Sequence, residues 1–110
     1  MNPAKIYQTL VETGNAMAEA RYEWEVLDGQ TKPMLAQFTL EAKSVDGVSS
    51  MAEATQIALS ASQYRSHLRS VAEARLAYGK AEVAHRASEA LFQAQRTVEA
   101  TQRMADRSAP

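Results

Sequence analysis

The sequence predicts an all-α fold: a long antiparallel helical hairpin of coiled-coil type with a short tip helix, assembling into a helical bundle. Three features of the 110-residue chain predict it. First, an apolar repeat of threes and fours runs through Ile6, Leu10, Thr13, Met17, Ala20, Trp24, Leu27, Thr31, Met34 and Phe38. That spacing keeps one narrow stripe of a helix facing a partner and has no use in a strand. Second, alanine fills 21 positions against four glycines and three prolines, a helix-forming composition. Third, the turn chemistry is concentrated in one stretch, Ser44 to Ser50, near the middle of the chain.

The first helix is expected over about residues 3–44. Asn2 followed by Pro3 opens it, because Asn accepts from orphan amides and proline at the first helical position gives up a donor that would be unpaired anyway. Pro33 interrupts it. Without an N–H it cannot bond the carbonyl of Gly29, and the expected result is a kink, since the seam continues through Met34 and Phe38. Asp46-Gly47 then supplies the turn, and Ser50-x-x-Glu53 is a capping box. A second box, Ser60-x-x-Gln63, separates a short tip helix from the last one, so the turn and tip occupy about residues 45–60. The last helix is expected over about residues 63–104, with its seam at Tyr64, Leu68, Val71, Ala74, Tyr78, Ala81, Ala84, Ser88, Leu91 and Val98. The whole of 1–110 is read as one helical-hairpin domain.

Two rods of roughly 60 Å fold back on each other, pairing positions whose numbers add to about 105, within about one turn. Trp24 then faces Ala77, Ala81 and Ala84, while Leu91 and Phe92 face Thr13 and Gly14. Two helices enclose no core, yet the first carries a further apolar row: Tyr7, Val11, Tyr22, Val26, Leu35 and Leu40. Self-association is the economical cover, most simply a dimer forming a four-helix bundle. Charge favours the same outcome, because residues 1–60 sum to −4 and residues 61–110 to +3.

Composition excludes several classes. With no cysteine there is no disulfide, thiolate chemistry or Cys-based zinc site. No apolar run nears the roughly 18 residues that span a bilayer, and the N-terminus lacks a signal pattern. A soluble cytoplasmic protein, with no membrane partner, is expected. No glycine-rich phosphate loop or nucleophile elbow occurs. A helical rod also offers no deep pocket, so no enzyme, small-molecule substrate or cofactor is expected.

Two constellations carry some chemistry. Glu82-x-x-His85 has the spacing of di-iron bundles, and Glu19 and Glu23 fall opposite it in the expected pairing. Such a pair is commonplace on a charged helix, so no metal site is assigned. The second is basic and aromatic: Tyr64, Arg65, Arg69, Arg75 and Lys80, near the tip. Arginine and lysine would neutralise phosphates and tyrosine would stack on unpaired bases, a way to hold single strands of any sequence.

The middle of the chain, Leu40-Glu41-Ala42-Lys43, a Gly/Ser turn, Glu53-Ala54, Ala58-Leu59-Ser60 and Tyr64, resembles small all-helical hairpin proteins of tailed phages. Those are encoded beside genes for single-strand annealing or binding. The organisation is also similar to phage recombination mediators, which oligomerise and help load a recombinase. The resemblance implies a phage-derived, non-enzymatic accessory of DNA recombination or replication, with single-stranded DNA or a recombination protein as partner. The alternative is a phage-encoded inhibitor or adaptor docking on a host protein, and the third reading is a metal-binding four-helix bundle.

Overall fold

A computed structural model describes residues 2–108, which fold as four α-helices with no strand among them. The helices are α1 (Pro3–Gly29), α2 (Thr31–Lys43), α3 (Met51–Ser60) and α4 (Ser62–Ser108). They divide into two compact units. One holds α1 up to Glu19 and α4 from Tyr78 onward, and the other holds Ala20–Ala77.

The start of α1 is capped as the sequence requires. The Asn2 side chain accepts from the Ala4 amide at 3.0 Å, and its carbonyl accepts from Lys5 and Ile6. All ten seam residues of the first forty are buried or half-buried; along the same stretch to Phe38, only Gly14 and Leu35 join them, and every other described residue is exposed. A stripe this narrow is the mark of one helix resting on another.

At Pro33 the expected kink becomes a one-residue interruption. The α1 helix ends at Gly29, whose carbonyl has lost the Pro33 donor, while Gln30 keeps right-handed helical angles and donates to Leu27 at 3.2 Å. Gln30 stands just before α2 and makes no side-chain capping bond, and Pro33 falls in the first turn of that helix, where a missing N–H costs nothing.

The turn from Ser44 to Ser50 forms as read. Gly47 carries a φ of 89°, the one positive φ among the described residues. The capping box is half as expected: the Glu53 amide donates to Ser50 Oγ at 3.1 Å, but the Glu53 carboxylate reaches back to Ser49 rather than Ser50. The second box does not form. Ser60 ends α3 with its hydroxyl donating to the Gln56 carbonyl, and Ala61, in an extended conformation, separates the helices.

The short third helix follows the turn at the tip and returns along α2. It packs on α2, with Ala54 and Ala58 buried on one side and Thr39 and Ala42 on the other. Small residues on both helices allow this close approach. Thus α3 already belongs to the returning limb, and the turning point is the Ser44–Ser50 loop. This shifts the register. Thr13 meets His85 and Thr31 meets His67, pairs whose numbers add to 98 rather than about 105. In this register Trp24 falls opposite Ala74 rather than Ala81, and its ring carries the Arg75 guanidinium at 5.2 Å.

Candidate interaction site

The seam of α4 is rotated from the apolar pattern. Tyr64, Val71, Ala74, Tyr78, Ala81 and Ser88 are sheltered as expected, whereas Leu68, Ala84, Leu91 and Val98 are exposed. Their places are taken by His67, His85, Phe92 and Gln95. Histidine is tolerable in a seam only with a partner, and each one has a threonine across the pair. His67 Nε2 lies 2.9 Å from Thr31 Oγ1 and His85 Nδ1 lies 3.1 Å from Thr13 Oγ1. The threonines are 18 residues apart in the sequence and so are the histidines, a spacing of five helical turns. One pair sits in each compact unit. A polar pair at a seam position fixes register, because a slip would bury both groups unpartnered. Thr13 and Thr31 were legible in the sequence as polar seam residues, and that was the available signal for polar partners opposite.

Gly14 belongs to this arrangement. A Cβ built there would lie 3.2 Å from His85 Cε1, so glycine makes room for the ring. The ring cannot easily give way, since Thr13 holds Nδ1 and Glu89 holds Nε2 at 3.1 Å. Mid-helix glycine costs about 1 kcal/mol relative to alanine, and Gly14→Ala should fail to recover it. The expected result in chemical denaturation is no gain or a small loss; a gain near ~1 kcal/mol would show that the His85 ring is loosely held.

The same contacts bear on the metal reading. His85 has both ring nitrogens engaged, and Glu82 pairs with Arg86 at 3.5 Å. Among the described residues no three metal-capable side chains converge. Glu19 and Glu23, expected opposite, are exposed.

The basic stretch is divided by its own helix. Tyr64 is 5% exposed and belongs to the seam, so its ring is no platform for a base. Arg75 covers Trp24. Arg65 and Arg69 are exposed one turn apart, and Lys80 is exposed in the other compact unit. Of the five residues, the buried Tyr64 ring is the one withdrawn from any exposed basic surface.

The apolar row expected to drive self-association is also not uniform. Tyr7, Val11, Tyr22, Val26 and Leu40 are exposed, and Leu35 is half-buried. Tyr7 tilts against Phe92 with ring centroids 6.3 Å apart. Leu35 and Leu40 line a groove of about 390 Å³ between α2 and α3, together with Met51 and Lys32. Tyr22 and Val26 stand outward one turn apart on α1, between Glu23 and Glu25. The row thus comprises residues that line a groove and residues that stand exposed on α1, which sequence periodicity cannot distinguish.

No family model, curated protein or solved structure matches the chain. No helix among the described residues is long and apolar enough to cross a membrane.

Proposed function

We propose that this chain is a non-enzymatic, self-associating helical interaction protein, an accessory that acts by contact with other macromolecules. The observation that carries the reading is the apolar surface the hairpin leaves uncovered. Tyr22 is 69% exposed and Leu40 65%, with Val26, Met51, Ile57, Leu68 and Leu76 exposed in the same compact unit. Single exposed apolar residues are ordinary, but a surface this rich in large ones marks an interaction site.

Of the partners considered, a protein fits better than a nucleic acid. The strand-binding reading, and with it the role in DNA recombination or replication, keeps Arg65 and Arg69 but loses the stacking ring of Tyr64. Two arginines alone would give a weak, salt-sensitive contact with phosphate and no grip on bases. A phage-borne recombination accessory or an adaptor docking on a host protein would both use the apolar surface described here.

Concentration tests the reading. If folding and assembly are linked, tenfold dilution removes about 1.4 kcal/mol from the assembled state. The thermal midpoint should then fall by several degrees. A midpoint unchanged across a hundredfold range would contradict self-association.

A further inference from the structure

The geometry points to the α2–α3 groove as the docking site for the Tyr22–Val26 face of a second copy of this chain. This inference rests on the self-association reading and names its two surfaces. The groove is apolar at its walls, through Leu35, Leu40 and Met51, and its one charged lining residue is Lys32, with no acid among the lining residues. On α2 the spacing places Lys43 on the same face, eleven residues or three turns from Lys32, so the groove side of the helix is basic towards both ends.

An occupant must therefore be an amphipathic helix with an apolar edge and acidic flanks. Such a helix is present in the chain. Tyr22 and Val26 project one turn apart from α1, and the acids Glu23 and Glu25 flank them on either side. Glu25 is tied to Arg21 at 2.9 Å, which leaves Glu23 as the natural partner for Lys32. Groove and edge lie in the same compact unit, so each protomer offers both surfaces. A two-fold pairing uses each surface twice, which brings the contact towards the roughly 1,200 Å² that specific interfaces bury. A single groove contact repeated head to tail would instead grow open chains.

The test is a charge exchange read by sedimentation velocity and circular dichroism. Lys32→Glu sets acid against acid and Glu23→Lys sets base against base, so each variant alone should associate roughly five- to tenfold more weakly than the parent while remaining as helical. Mixed together, the two variants restore an opposite-charge pair at both contacts and should recover parental affinity. Leu40→Glu, a change at the groove wall, should weaken association at least about tenfold.

Recovery on mixing supports the pairing. Weakening by both variants without recovery overturns it while leaving self-association intact. So does a Leu40→Glu protein that dissociates alongside a Tyr22→Ala protein that does not, which would mean groove against groove. A parent chain that stays monomeric, with a groove that takes an acidic amphipathic peptide, would assign the groove to another protein and overturn both this pairing and the self-association reading.

Discussion

Tyr64→Ala should destabilise the fold by about 3–4 kcal/mol, the range for removing an aromatic side chain from a packed site. Sequence reading gives this ring two places, a seam position and a basic strand-binding surface, and on the latter its removal would cost little. Its 5% exposure instead puts it at the head of the α4 seam, three residues before His67. The ring and the imidazole lie on the same side of the helix, and His67 is itself only 8% exposed. Truncation would therefore open a cavity and also admit water beside the Thr31–His67 bond. Urea denaturation followed by circular dichroism reads the change directly. A loss below ~1 kcal/mol would mean that the seam does not include Tyr64, and with it that the register is wrong.

The second large effect is expected at Ile6, 4% exposed and the most sheltered residue of α1. Ile6→Ala removes its buried branches from the seam. Isoleucine-to-alanine changes cost about 2–5 kcal/mol in cores, and here about 2–3 is expected, because the site lies one turn from the helix start and can partly close. The shallow depression formed with Asn2, Lys5, Thr9 and Leu91 would deepen. Hydrogen exchange should show the loss concentrated in the unit made by early α1 and late α4. Uniform loss of protection throughout the chain would mean that the two units unfold as one.

How much of this was legible differs between the limbs of the hairpin. In the first forty residues, large apolar side chains are spaced among polar ones, so the period stands out, and the ten residues it selects are all sheltered. The return limb is rich in alanine, which fits a seam or a solvated face equally well. There the pattern was drawn to Leu68, Leu91 and Val98, while the packed face uses His67, His85 and Phe92. Hydrophobicity cannot find a histidine whose burial is made acceptable by one threonine hydroxyl 72 residues away.

The register error has a different origin. The Ser50 cap correctly marks the start of α3 as a separate helix, but nothing in its ten residues says whether it crosses the tip or lies along α2. Packing of Ala54 and Ala58 against α2 decides that, and the choice moves every pairing that follows. The interaction surfaces were legible as residues and not as shapes. Leu40, 18 residues or five turns from Tyr22, belongs with it by period, yet α3 makes Leu40 part of a groove and leaves Tyr22 and Val26 as an edge.

The claim on which the rest depends is that this hairpin does not stand alone. Light scattering coupled to size-exclusion chromatography at low micromolar concentration tests it most directly. The chain has a mass of 12.1 kDa, and the eluted species should have twice that mass or a higher multiple. A stable peak at 12.1 kDa, unchanged on raising the concentration tenfold, would contradict it.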